Sequence, residues 1–474
     1  MVARTVVGME DTEQRWSAEQ VLALAPDAAS QKAGTRLAVP GPWSGTGTAG
    51  ASEDGGGAVV WGLCAGSGSR PYRTAVDLTG PAFNCTCPSR KFPCKHAVGL
   101  LLLWARGDAA TDADSGTGIG PAEPPDWVAQ WQAKRTAARE KSPAGGGAGA
   151  ADPQAARRRA ERRAQRVAAG AAELEQRLTD QLRTGLAAGR EDQRVWDTVA
   201  ARMIDAQAPG LAARVRELGG IPGSGGDWPS RLLEEYGMLH LLARGCLALD
   251  AGPDALPGAL SDTVRSRVGY TTAAAELLAG PTLRDSWLVL AQQDSTEGTM
   301  TTRRIWLRGA RSGRPALLLS FGAAGRAPEV SLPVGRSLDA ELAYHPGAVP
   351  LRAALGPQHG SPTPGHLPPG VPVGEALSGY GEALRADPWL DEWPVVLSGV
   401  VPIPDPGGWQ LADVDTDSAL PVDPRRLGRP GLWRLAAVSG GHPVTVFGTV
   451  GHRGFTPLTT WPAGDGRAGE AVAL

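Results

Sequence analysis

The chain has 474 residues, 42% of them hydrophobic and 20% charged, with a net charge of −2. This length predicts two or three domains, each with its own core, and the near-neutral balance excludes a protein that coats nucleic acid or anionic membrane through overall charge. Gly 64 and Pro 40 predict long irregular linkers, while five cysteines are too few and too odd in number for a disulfide framework and fit a reducing cytoplasm.

Met1 to Trp16 has no apolar core of a signal peptide. The longest apolar run, Ala97–Ala105, is about half of what a membrane span needs. The expectation is therefore a soluble, cytoplasmic protein. Ser17-x-x-Gln20 has capping-box spacing and predicts a short helix through Leu24, ahead of Pro26. A second short helix is expected over Asp27–Ala33. Gly45–Gly57 reads as a loop whose spacing matches no phosphate cradle, and no Gly-Lys pair exists to supply a P-loop lysine. Val59–Cys64 and Tyr72–Leu78 read as strands joined by the turn Gly66–Pro71, a hairpin that delivers the chain into the next motif.

That motif is Cys85-x-Cys87-x6-Cys94-x-His96, four soft ligands inside twelve residues. Three thiolates and one imidazole form a closed tetrahedral set, the donor set of one structural zinc ion, and leave no open position for a catalytic water. Pro88 and Pro93 bracket the loop that returns Cys94 and His96 to the first pair. The apolar run after His96 predicts a buried helix with the second ligand pair in its first turn, where the helix N-terminus favours negative charge. Arg90, Lys91 and Lys95 add positive charge, which depresses thiol pKa values. The plainer alternative is a set of buried free thiols and an incidental histidine. Three of five cysteines in one window, with one of seven histidines, argue against it. Cys64 and Cys246 are expected to be core residues.

The Cys85–His96 pattern resembles the SWIM zinc finger. Its flanks, Trp16-Ser17, Leu24-Ala25-Pro26-Asp27, Val60-Trp61-Gly62, Pro71-Tyr72, Val76-Asp77-Leu78, Pro81-Ala82-Phe83 and Pro88 to Pro93, resemble a bacterial, mainly actinobacterial, group of SWIM zinc finger proteins. The resemblance is most specific over residues 16–104. It implies zinc ligation by Cys85, Cys87, Cys94 and His96, and zinc-dependent contact with DNA or with other proteins.

Residues 107–153 read as a linker containing one helix over Asp126–Lys141, with Trp127 and Trp131 at an i, i+4 spacing that either docks on a domain surface or offers a partner contact. From Pro153 the chain reads as helical. Val167, Ala171, Leu174, Leu178, Leu182 and Leu186 form one apolar stripe. Ahead of the stripe, Arg157, Arg158, Arg159, Arg162, Arg163 and Arg166 are opposed only by Glu161. The run is either a solvated helix end or an arm that grips phosphates. Further helices are expected at Asp192–Ala206, Leu211–Leu218 and Arg231–Leu249, giving a bundle over residues 154–280.

Residues 281–474 read as β-rich with a mixed sheet. Strands are expected at Trp287–Leu290, Arg303–Leu307, Ala316–Phe321, Glu329–Leu332, Val395–Val401, Leu432–Ala437 and Pro443–Val450. One helix is expected near Gly374–Leu384, and an exposed loop at Pro357–Pro372. The fold class is thus α+β multidomain: a small zinc-binding α/β module (1–106), a helical bundle and a β-rich C-terminal part. No nucleophile elbow, zinc-protease or dinucleotide motif is present. His345, His442 and His452 read as surface histidines, and Asp391-Glu392 as loop acids facing water. The expected function is a zinc-binding interaction protein, with a protein partner for the body and DNA or RNA contact at the finger and arginine arm. No small-molecule substrate is identified, and an enzyme with its site in the C-terminal part is the competing class.

Overall fold

The computed structural model describes residues 16–25, 28–50, 58–66, 70–79, 82–89, 91, 93–106, 119–140, 153–185, 193–225, 227–252, 254–298, 300–323, 328, 330–405, 407–423, 428–462 and 470–474. The N-terminal part begins with α1 (Ala18–Ala23) and α2 (Ala28–Leu37). The capping box closes α1 as its spacing predicts: Ser17 Oγ accepts from the Gln20 N–H at 3.2 Å, and Gln20 Oε1 accepts from the Ser17 N–H at 3.0 Å. Strands β1 (Trp43–Ala49), β2 (Val59–Cys64), β3 (Tyr72–Asp77) and β4 (Ala82–Cys85) form an antiparallel sheet in sequence order. The expected loop at Gly45–Gly57 therefore starts as a strand through Ala49, and residues 51–57 lie outside the described ones. A Cβ at Gly47 would run into the Trp61 indole, so the glycine content that suggests a loop serves cross-strand packing.

Alternation along β2 and β3 sends two apolar sets to opposite faces. Val60, Cys64 and Val76 pack under α3 (Lys95–Arg106). Val59, Trp61 and Ala75 meet Val128, Trp127 and Trp131 of α4 (Asp126–Glu140) on the other face. The helix expected inside the linker is thus docked on the sheet by its tryptophans, and Arg135 reaches Asp77 at 3.4 Å.

The bundle comprises α5 (Pro153–Thr184), α6 (Gln193–Asp205), α7 (Pro209–Gly220), α8 (Trp228–Ala251) and α9 (Gly258–Val268), followed by the short α10 (Ala274–Leu278). Val167, Ala171, Leu174 and Leu178 are buried in its core beside Trp196 and Tyr236. The stripe ends one turn early: Leu182 is 45% exposed, and Leu186 lies outside the described residues. Cys64 and Cys246 are both buried, and burial pushes their thiols up to about 11 and about 12.

The C-terminal part contains two six-stranded sheets, where the sequence suggests one mixed sheet. The first has β5 (Leu283–Glu297), β6 (Met300–Gly309), β7 (Pro315–Ala323), β8 (Arg336–Tyr344), β9 (Arg352–Gln358) and the short β10 (Thr363–Pro364). Its β9 pairs in parallel with β7 and antiparallel with β8, so five strands close on themselves around Trp287, Ile305, Leu307, Leu318 and Leu338. The second runs β13-β12-β11-β14-β15-β16, from β11 (Trp393–Ile403), β12 (Gln410–Asp413), β13 (Ala419–Pro421), β14 (Val444–Gly451), β15 (Gly454–Trp461) and β16 (Val472–Ala473). Helices α11 (Val373–Ala386) and α12 (Gly428–Ser439) cover it.

Two strand expectations fail. Leu432–Ala437 lies in α12, where Leu432 and Leu435 turn to the core at helical spacing and Trp433 turns out. Val330–Leu332 is irregular, between Pro328 and Pro333, which remove backbone donors. Its backbone is held by side chains instead: Arg303 Nη1 donates to Val330 O at 3.3 Å, and Gln292 Oε1 accepts from the Leu332 N–H at 2.9 Å. The expected loop at Pro357–Pro372 includes the end of β9 and all of β10.

Candidate metal centre

Hairpin register sets the first ligand pair. Cys85 ends β4 opposite Thr74 of β3, and Thr74 Oγ1 lies 3.3 Å from Cys85 Sγ. Thr86 continues the ladder by donating its N–H to Arg73 O at 3.1 Å and accepting from the Arg73 N–H through Oγ1 at 3.0 Å. Cys85 and Cys87 flank Thr86 and so share one side of the extended chain. The second pair comes from the start of α3. Cys94 immediately precedes the helix, its carbonyl accepting from the Val98 N–H at 3.1 Å, and His96 sits in the first turn. Cys94 and His96 are buried, whereas Cys85 and Cys87 are half-buried.

The four ligand atoms all lie within 4.8 Å of one another. Cys85 Sγ is 3.7 Å and Cys94 Sγ 3.9 Å from His96 Nδ1. A tetrahedron with Zn–S near ~2.3 Å and Zn–N near ~2.0 Å separates its ligand atoms by roughly 3.5–3.8 Å, so these side chains fit one structural zinc ion. Tyr72 braces the imidazole, with ring centroids 4.9 Å apart. Without a metal, the thiols share protons unequally. Hydrogen bonds from Cys94, His96 and Thr74 draw Cys85 down to about 4 against the opposing effect of burial. The hydrogen bond to Cys85, burial and the Cys85 charge push Cys94 up. A divalent cation replaces that contest by stabilising all three thiolates. The resulting complex has one net negative charge and sits at the positive end of α3.

The basic residues divide. Lys95 is exposed on the first turn of α3, and Lys91 is exposed in the ligand loop, its N–H donating to Ser89 Oγ at 3.2 Å. Arg90 lies outside the described residues. On α5, Arg157, Arg158, Arg159 and Arg162 are exposed. Arg163 instead stacks 4.1 Å from the Tyr270 ring and donates to Gly269 O at 3.0 Å, while Arg166 donates to Gln207 Oε1 at 2.8 Å. These last two fasten α5 to the bundle. Thr74 and Tyr72, which support the ligands, escape a reading based on donor types alone; both lie on the expected strand β3, but its pairing with β4, which sets Thr74 opposite Cys85, is seen only in the structure.

Asp391 faces water as expected, with Arg214 3.3 Å away, whereas Glu392 is largely covered and lies 2.8 Å from Arg304. His442 and His452 are exposed, but His345 is half-buried. No helix among the described residues is long and apolar enough to cross a membrane.

Two family models match: the SWIM zinc finger over residues 81–105, which contains all four ligand positions, and a SWIM-associated four-helix bundle domain over residues 162–268. The chain thus carries a SWIM zinc finger ahead of a SWIM-associated bundle. No curated protein and no solved structure matches it.

Proposed function

We propose, from the premise that a SWIM zinc finger and its associated bundle share one chain, that the protein is a zinc-stabilised interaction protein. In this reading residues 1–106 form the finger module, 107–153 the connection, 154–280 the bundle and 281–474 the β-rich body, in a cytoplasmic protein. The closed ligand set carries the proposal: three sulfurs and one nitrogen complete the coordination of zinc, so the ion organises a surface and does not present a catalytic water.

A protein partner is the reading favoured for the body. Trp433 is 60% exposed and stands edge-on to Trp409 with ring centroids 5.2 Å apart. Tryptophan dominates the energetics of protein interfaces far beyond its frequency. A second reading, nucleic-acid contact, is favoured by the four exposed arginines Arg157, Arg158, Arg159 and Arg162, with Lys91, Lys95 and Arg90 at the finger. Capture experiments on the intact chain, run with and without nuclease, separate them. Proteins retained after nuclease and lost in Trp433→Ala support the first reading. Recovery of nucleic acid alone overturns it in favour of the second.

A further inference from the structure

The closed barrel of the C-terminal part has a specific strand order. Strands β5, β6 and β7 form a meander, β9 lies parallel beside β7, and β8 closes between β9 and β5. This is the order of an OB-type barrel, in which ligands bind on the face of the second and third strands and under the loop between the fourth and fifth. Those are β6, β7 and the β8–β9 loop here.

A cavity of about 680 Å³ opens over that face. Arg304 and Trp306 of β6, Leu317 of β7 and the loop from His345 to Leu351 form its barrel wall. Helices α7, α8 and α9 form the opposite wall, and the segment 387–392 with the β14–β15 turn closes it. The volume lies within the roughly 300–1,000 Å³ of small-molecule sites, at the kind of inter-element junction where they occur.

The lining decides between the two ligand classes of such barrels. Five arginines and six carboxylates face the cavity. Three pairs neutralise each other: Arg267 with Asp387 at 2.6 Å, Arg214 with Asp391 at 3.3 Å and Arg304 with Glu392 at 2.8 Å. Among the described residues, Glu217 and Glu235 on the bundle wall, Arg352 on the barrel wall and Arg453 of the β14–β15 turn make no such ion pair. A polyanion would place phosphates against a wall with more carboxylates than guanidinium groups, without the basic, aromatic platform that single strands need. An uncharged polyol meets a balanced array of donors and acceptors. Burial, reinforced by neighbouring Arg352, lowers His345 to about 4. Its imidazole is neutral at pH 7 and offers one donor and one acceptor.

We propose that this cavity binds a neutral oligosaccharide of about two or three units, whose hydroxyls exchange hydrogen bonds with His345, accept from Arg352 on the barrel and donate to the Glu217 carboxylate on the bundle. The site contains no residue of the finger, so it stands or falls independently of the zinc reading.

The test is calorimetric titration of the zinc-loaded full-length protein with maltotriose, cellotriose and triacetylchitotriose, with hexathymidylate as the anionic comparison. At least one trisaccharide is expected to bind with Kd of about 10–1,000 μM. Its affinity should be flat between roughly 50 and 500 mM salt, since no counterions are released. His345→Ala and Arg352→Gln should each weaken it about tenfold or more with unchanged circular dichroism. Glu217→Gln provides the same readout from the opposite wall should a barrel variant fail to fold. No heat from any trisaccharide at about 10 mM overturns the proposal. So does sugar binding that ignores these substitutions, or hexathymidylate binding that they abolish.

Discussion

At the scale of single residues, two fully buried polar side chains show how different partners stabilise a buried charge. Cys94 is fully buried and directly precedes the helix that carries His96. Zinc binding at such sites contributes on the order of 10 kcal/mol to folding, comparable to the stability of a whole domain. Cys94→Ser is therefore expected to lose the metal and to open residues 16–106 to protease, with zinc content and limited proteolysis as readouts. Retention of one zinc equivalent would contradict the ligand assignment. Asp285 is 1% exposed on β5. Its Oδ1 accepts from the N–H groups of Ser286 at 2.7 Å and Arg311 at 3.1 Å, and its Oδ2 from that of Ser312 at 2.8 Å. Burial alone would raise its pKa, but the donors of Ser312, Arg311 and Ser286 outweigh it and hold the carboxyl below its usual range. Because the folded pKa is the lower one, the stabilisation is complete at neutral pH and is lost as pH falls through the folded value. Asp285→Asn should destabilise by about 2–4 kcal/mol at pH 7 in urea titrations. The deficit should shrink on acidification below about pH 4; a constant deficit would rule out this account.

Among elements, α2 and α3 approach closely because glycines face each other. A Cβ at Gly99 would lie 2.7 Å from Leu37 Cβ and 3.2 Å from Gly34 O, and one at Gly34 would strike Val98. Gly99→Ala should force α2 off the helix that holds Cys94 and His96, lowering stability by about 1–3 kcal/mol. Thermal melting of the zinc-loaded protein measures it, and an unchanged midpoint would show that the pair adjusts freely. Helix α5 illustrates a different division. Its exposed Arg157, Arg158, Arg159 and Arg162 lie ahead of the first buried stripe residue, Val167, so their replacement should leave the core intact. If they grip phosphates, changing all four to Gln should reduce the slope of log affinity against log salt by about 3. The same slope before and after would remove the arm from the interface.

Across the whole molecule, Trp389 ties the β-rich part to the bundle. It is 4% exposed within the bundle core, donates its indole N–H to Met238 O at 3.0 Å, and accepts at its carbonyl from Arg214 Nη2 at 3.2 Å. Trp389→Ala should cost about 3–5 kcal/mol and separate one calorimetric transition into two. A single transition at the original midpoint would show that the wedge is dispensable. Gln20 has a comparable double role at the other end: it completes the α1 capping box and donates through Nε2 to Val334 O of the barrel at 3.0 Å.

What the sequence determined by itself was local. Four ligands within twelve residues, a capping box across four and the apolar stripe of α5 from Val167 to Leu178 are fixed by short-range geometry and reappear in the structure. Tertiary structure decided whatever depends on distant partners. Arg163 and Arg159 look alike in sequence, yet only Arg163 meets Gly269, 106 residues away. Leu432–Ala437 could alternate or turn until the second sheet required a helical cover. The barrel closes through a parallel pairing of β9 with β7, which no local pattern specifies, since register between strands is set by the side chains they bury together.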